Sequence, residues 1–188
     1  MGFTIDIGSA APGFELKGVD GKVRSLDDYA DKAAVVVIFT CNHCPTAIQY
    51  EDRLIAMQRK YAAKGVQLIA INSNETDGHP TDSFEHMVER AAQKGFNFPY
   101  LRDESQDVAR AYGAKRTPHA FLLDADRKVV YEGRIDDNPD RPNAVGRHDL
   151  RVAIDETLSG KPVTVTNTKS MGCNVKWWGK DAHWMPEP

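Results

Sequence analysis

Two cysteines stand three positions apart in Cys41-Asn42-His43-Cys44. They follow an apolar, β-branched run, Ala33 to Phe39, and precede a stretch with helical periodicity that begins at Pro45. The backbone N–H groups at a helix start lack intrahelical partners and carry about half a positive charge, so a sulfur anion placed there is stabilised. That field can pull a cysteine from about 8.5 down to roughly 3.5–7.5, and the thiolate is the reactive form. The spacing therefore predicts dithiol–disulfide chemistry. Cys41 is expected at the exposed cap as the attacking thiol, with Cys44 deeper in the turn as the resolving thiol. Pro45 is tolerated because the first helical N–H groups have few partners to lose. A protonated His43 would add to the stabilisation of a thiolate and make the disulfide more oxidising.

Other uses of the pair are weaker. A structural zinc site needs four ligands. Beyond this motif the chain offers only Cys173 and scattered histidines, with no second ligand pair. A haem attachment would need C-x-x-C-H, and Pro45 occupies the last place. No cofactor is expected beyond the redox-active disulfide and an external thiol reductant. Cys173, in Ser170-Met171-Gly172-Cys173-Asn174-Val175-Lys176-Trp177, has two readings: a second resolving thiol that folds back over the motif, or a small buried hydrophobe beneath the tryptophans.

The elements that must position the motif follow from periodicity. Phe14 to Lys17 and Lys22 to Ser25 flank a Gly18 to Gly21 turn and predict a hairpin. The run Ala33 to Phe39 predicts a strand buried on both faces. A helix is expected from Pro45 to about Lys64, stopped by Gly65, with Ala47, Leu54, Tyr61 and Ile48, Ile55, Ala62 forming one core-facing stripe. Val66 to Ile71 reads as a second buried strand, and Asn72 to Thr81 as a polar surface loop. Asp82-Ser83-Phe84-Glu85 has the pattern of a capping box at the head of another helix. Phe98 to Leu101, Ala120 to Leu123 and Lys128 to Glu132 read as strands. Ser105 to Tyr112 and Asp149 to Leu158 read as helices. The alternation predicts a largely parallel α/β sheet that ends in an antiparallel pair. Residues 1–162 are expected to form one domain. Residues 163–188 hold all three tryptophans and are expected to pack along it. The charged segment Asp136 to His148 reads as a solvated loop.

Composition narrows the function classes. The chain has 188 residues, 24 basic against 27 acidic, and a formal charge of −3. Nucleic-acid grooves are usually basic, so no nucleic-acid partner is expected. Three cysteines are too few for a disulfide scaffold. The start, Met1-Gly2-Phe3-Thr4-Ile5-Asp6, has neither a basic n-region nor an apolar core, and the longest apolar run falls far short of a membrane helix. A cytoplasmic protein with no membrane contact is expected. Nothing in the sequence fixes an oligomeric state.

With the C-x-x-C placed after its strand, the chain resembles thioredoxin-fold redoxins of the alkyl hydroperoxide reductase/thiol-specific antioxidant (peroxiredoxin-like) family and their TlpA-like relatives. The resemblance is carried by Ala11-Pro12-Gly13-Phe14-Glu15-Leu16, Asp20-Gly21-Lys22-Val23-Arg24-Ser25-Leu26, Phe98 to Asp103, Val108 to Gly113 and Thr117 to Asp124, in that order. It covers residues 8 to 162. It implies a thioredoxin-like fold with a central mixed sheet flanked by helices. It also implies a cis Thr117–Pro118 bond packed against the sulfurs, with Thr117 and Pro118 supporting the site and His119 nearby.

Peroxidase members carry P-x-x-x-T-x-x-C. Aligned on Cys44, their threonine is Cys41 and their proline is Val37. The family therefore implies a thiol-disulfide oxidoreductase recycled by a thioredoxin or glutathione system and acting on protein disulfides or small thiols. A peroxidase using Cys44 on peroxide is the alternative. Thr40 to Pro45 also resembles the C-x-x-x-C-P of copper chaperones of this fold, one residue short.

Overall fold

The computed structural model describes residues 3–181 and 183–187. The Met1-Gly2 start weighed above for targeting lies outside them, as do positions 182 and 188 of the tail. Among the described residues, nine strands and four α-helices run in the order β1 (Glu15–Gly18), β2 (Val23–Ser25), β3 (Ala34–Phe39), α1 (Pro45–Tyr61), β4 (Val66–Asn72), α2 (Phe84–Lys94), β5 (Tyr100–Arg102), α3 (Asp107–Tyr112), β6 (Arg116–Thr117), β7 (His119–Leu123), β8 (Val129–Gly133), α4 (Asp149–Leu158) and β9 (Cys173–Asn174). Seven strands form one sheet in the order β2-β1-β5-β4-β3-β7-β8, and β6 pairs with β9 in a second, two-stranded sheet.

The sheet is mixed. Only β3/β4 and β4/β5 are parallel, while β3/β7, β7/β8, β1/β5 and β1/β2 are antiparallel. The largely parallel sheet expected from the alternation is corrected here. The N-terminal hairpin caps β5, and β7 enters beside β3 in the reverse direction. Neither long-range choice is written in local periodicity.

Strand β3 lies at the centre and is buried along its whole length. Its residues alternate between two cores, as period-2 geometry requires. Val36 and Ile38 face Tyr50 and Leu54 of α1 and Leu150 and Ile154 of α4. Val35, Val37 and Phe39 face Tyr112, Phe121 and Trp177. The inner face of α1 is Ala47, Tyr50, Leu54, Met57 and Tyr61, the alternating three–four spacing of a single stripe. The expected row Ile48, Ile55, Ala62 lies to its outer side, with Ile48 36% exposed. After α1 the chain tightens into a 3₁₀ turn, Ala62–Lys64, and Gly65 ends it at φ +78°.

Three further expectations change. Ser83, not Asp82, caps α2, its side chain accepting from the His86 N–H. Asn72, Ser73 and Asn74 are buried, so the 72–81 loop begins inside the molecule. Asp136 is also buried, accepting from Arg53 and from the Tyr50 hydroxyl, so only the rest of its segment is a solvated loop. The tail runs back over the domain and buries Val175 and Trp177. Among the described residues no helix is long and apolar enough to cross a membrane.

Candidate functional site

The motif sits where β3 ends. The Thr40 N–H still bonds Ile71 of β4, and the next four residues form the loop into α1. Cys44 is the N-cap of that helix and Pro45 its first residue. Cys41 precedes the helix, outside its first turn. The expectation that Cys41 would lie at an exposed cap is therefore corrected: the cap is Cys44, and both are buried, Cys41 at 2% exposure and Cys44 at 0%. All three cysteines are free thiols.

Opposite the motif stands Thr117, joined to Pro118 by a cis peptide bond, as the resemblance implied. Its hydroxyl oxygen is 3.3 Å from the Cys41 sulfur and its carbonyl oxygen 3.2 Å from the Cys44 sulfur. The third cysteine completes the group. β9 pairs antiparallel with β6, setting Cys173 opposite Thr117 and Asn174 opposite Arg116. Cys173 packs against the cluster of Cys41, Cys44 and Ala47.

The three thiols are not alike. Cys44 is lowered to about 4 by the Cys41 thiol that donates to it, by the Cys173 thiol, and by backbone N–H groups including that of Ala47 in the first helical turn, all acting against burial. Cys41 is pushed well above its usual value because its proton serves Cys44, because it is buried, and because the charge of Asp82 lies close. Burial raises Cys173 to about 11, with help from the neighbouring Cys44. A carboxylate that opposes ionisation and a thiol that donates to its neighbour separate the pair in the expected direction.

Asp82 is the residue that the sequence did not reveal. A 3₁₀ turn, Pro80–Asp82, carries it beneath the motif, where it is fully buried. Its carboxylate faces four donors: the Asn42 N–H at 2.6 Å, the Asn72 amide at 3.1 Å, the Asn74 amide at 3.0 Å and a His43 ring nitrogen at 2.5 Å. These bonds hold its pKa below the usual carboxylate range against the burial that opposes them. They also turn His43 toward Asp82. The His43 ring stacks on His79 at 4.8 Å between centroids. The Tyr100 hydroxyl bonds the Asn42 side chain at 2.8 Å and fixes the rest of the loop. Cys41, His43 and Asp82 offer ligand atoms within 4.8 Å of one another, a spacing that could hold a metal ion. His43 and Asp82 are already bonded to each other, however, and the carboxylate accepts from three further groups.

Two other residues hold the tail over the site. Asn74 accepts from the Lys176 N–H at 2.9 Å. The Gln106 amide donates to the Lys176 carbonyl at 2.8 Å, and its oxygen accepts from the Trp178 N–H at 3.0 Å. Gln106 takes a left-handed conformation, φ +66°, to do so. No local pattern announces either role. His119 is buried one residue beyond Pro118, with Nε2 2.6 Å from Glu132 and Nδ1 accepting from the Lys115 N–H at 3.2 Å. It faces Glu132 rather than the sulfurs. The Arg116 guanidinium bonds the Asn174 side chain.

Comparison with known proteins gives a consistent picture. The family model described as Redoxin matches residues 6–147. A curated relative, the thiol-disulfide oxidoreductase ResA of Bacillus thuringiensis subsp. konkukian, is 30% identical over 130 residues, 68% of this chain and 69% of its own length. A crystal structure of a hypothetical protein from Sinorhizobium meliloti 1021 superposes with a TM-score of 0.89 at 38% identity, covering 95% of this chain and 98% of that one. A putative thiol:disulfide interchange protein DsbE from Chlorobium tepidum superposes at 0.61 with 27% identity over 84% of this chain and 98% of that one. The family match takes in the strand, the helix and the cis-proline loop that bring Cys41, Cys44 and Thr117 together, and on that ground the chain belongs to the redoxin family.

Proposed function

We propose that the protein is a thiol-disulfide oxidoreductase whose redox couple is the Cys41–Cys44 pair. The observation that carries this reading is the placement of the pair: both sulfurs lie against Thr117 of the cis-proline loop, with Cys44 at the N-cap of α1. There Cys44 is lowered to about 4 and Cys41 is pushed above its ordinary value, so Cys44 is the sulfur given the first attack. The thiolate of Cys44 attacks one sulfur of a disulfide, the other sulfur leaves, and a mixed disulfide forms. Cys41 then loses its proton and attacks Cys44, the substrate sulfur leaves as a thiol, and a Cys41–Cys44 bond remains. Two electrons pass from the pair to the substrate disulfide. This order assigns attack to Cys44 and resolution to Cys41, the reverse of the roles expected from the sequence. The Thr117 hydroxyl lies 3.3 Å from the Cys41 sulfur, and the Thr117 carbonyl accepts from Cys44 when that thiol carries its proton.

The names of the relatives support thiol–disulfide exchange; protein disulfides or small thiols in their disulfide form are the proposed substrates, and a thioredoxin or glutathione system is the proposed source of reducing equivalents. Peroxide reduction is not favoured. The hydroxyl position of the peroxidase motif is the Cys41 thiol, and the nearby Arg116 guanidinium is bonded to Asn174.

The test is a redox titration of wild type, Cys41→Ser and Cys44→Ser against glutathione, with peroxide consumption measured in parallel. A Cys41–Cys44 disulfide in the wild type, exchange lost in Cys44→Ser, and slow peroxide turnover are expected. Rapid, thiol-dependent peroxide consumption by Cys41→Ser would replace this reading with the peroxidase one.

A further inference from the structure

Both cysteines of the couple are buried, Cys41 at 2% exposure and Cys44 at 0%, whereas Cys173 is partly exposed. It is also the sulfur that touches Cys44 from outside the motif. Its position is fixed from several directions. Thr117 lies opposite it across the β6–β9 ladder. The following residue but one, Val175, donates to the Lys115 carbonyl at 3.2 Å, and Lys176 is bonded on both sides through Asn74, Glu75 and Gln106. The preceding residue, Gly172, lies directly against the Thr117 carbonyl. The tail thus presents one cysteine, at strand geometry, to the sulfur at the helix cap.

We propose that Cys173 is a third redox-active thiol, the port through which the buried disulfide passes outward to meet an external reductant. The proposal rests on the exchange reading above and extends it to the recycling step. The Cys173 sulfur, having lost its proton, attacks Cys44 in the Cys41–Cys44 disulfide. The bond to Cys41 breaks, Cys41 leaves with the electron pair and takes up a proton, and a Cys44–Cys173 bond replaces it. No electrons leave the protein in this step. A small thiol then attacks Cys173, and Cys44 leaves as a thiolate. A second thiol attacks the external sulfur of that mixed disulfide and frees Cys173. Overall, two external thiols become one disulfide and the protein regains its three thiols.

In the first step the charge of Asp82 opposes an anion on the departing Cys41, so Cys41 takes up its proton as it leaves. Two of the influences that raise Cys173 in the reduced protein, the hydrogen bond to Cys44 and the charge on it, vanish once Cys44 is in a disulfide. In the second step Cys44 is the most acidic of the three and therefore the best leaving group.

The experiment uses the full chain. Cys41→Ser is oxidised with glutathione disulfide and mapped by mass spectrometry, and a Cys44–Cys173 cross-link is expected. Wild type, Cys173→Ser and Cys173→Ala are oxidised to the Cys41–Cys44 form, and the rate of reduction by glutathione is measured. Both Cys173 variants are expected to be reduced at least about tenfold more slowly, since their disulfide stays buried. Reduction at the wild-type rate, or no Cys44–Cys173 link in Cys41→Ser, overturns the port. Failure of the exchange reading itself looks different: the wild type would form no Cys41–Cys44 disulfide at all.

Discussion

Gly172 lies so close to Thr117 that a Cβ built on the glycine would stand 2.1 Å from the Thr117 carbonyl oxygen, at a backbone φ of +144°. The same carbonyl is 3.2 Å from the Cys44 sulfur. One oxygen therefore joins the tail, the cis-proline loop and the cap of α1. Gly172→Ala cannot keep this approach, and β9 must lift. The expected cost is about 1–3 kcal/mol in urea unfolding, together with faster alkylation of Cys173. Wild-type stability and alkylation in this variant would show that the tail does not depend on that contact.

The pH behaviour of Cys44 is the second prediction. Thiolate absorbance at 240 nm should show one cysteine ionising near pH 4, with the other two still protonated at pH 8. Cys41→Ala removes the largest support of the anion, and the Cys44 inflection should rise by about one to two units. An inflection that stays near 4 would place the support elsewhere.

Asp82 separates the two thiols by opposing a charge on Cys41. In a Cys44→Ser background, Asp82→Asn should lower the Cys41 pKa by about one unit, read from the same absorbance. The substitution also sets an amide NH2 against two of the four donors, and a loss of about 1–3 kcal/mol in stability is expected. An unchanged Cys41 titration would remove Asp82 from the ordering of the pair.

His119 makes a prediction about stability. Its Nδ1 accepts from Lys115, so the ring carries its hydrogen on Nε2, toward Glu132. Burial lowers its pKa despite the carboxylate. The unfolded chain, with histidine near 6.5, therefore binds the proton more readily than the native one. The contribution of His119 is complete above that pH and is lost as pH falls through and below it. Unfolding free energy should decline on acidification from about pH 6.5, and His119→Gln should flatten that decline. A slope unchanged in the variant would assign the titration to another group. Asp82, whose pKa lies below 3.8, acts only in a more acidic window.

Much of the site was legible because its determinants are local. A β-branched run made β3 the central strand, and helical spacing with a glycine stop set α1. Asn42, His43 and the two cysteines had to lie between them. Thr117 and Pro118 came from the ordered family motifs. The proposed exchange of roles between Cys41 and Cys44 turns on where the helix begins, because a one-turn difference decides which sulfur meets the backbone N–H groups. Asp82 looked like a helix cap, since its sequence pattern is the same whether its carboxylate faces the following turn or a loop forty residues upstream. Asn74 and Gln106 showed no signal for a related reason: their partners lie in the tail, beyond the reach of any periodicity.

The bond between β6 and β9 has a consequence for the newly made chain. Cys173 is synthesised long after Cys41 and Cys44, and domains organise as their segments emerge. The unusual acidity of Cys44 draws on Cys41, on α1 and on Cys173 together. Until the last of these arrives, the pair has only part of its support and remains closer to ordinary sulfhydryls. The pair thus reaches its full acidity only once β9 has been made and docked on β6.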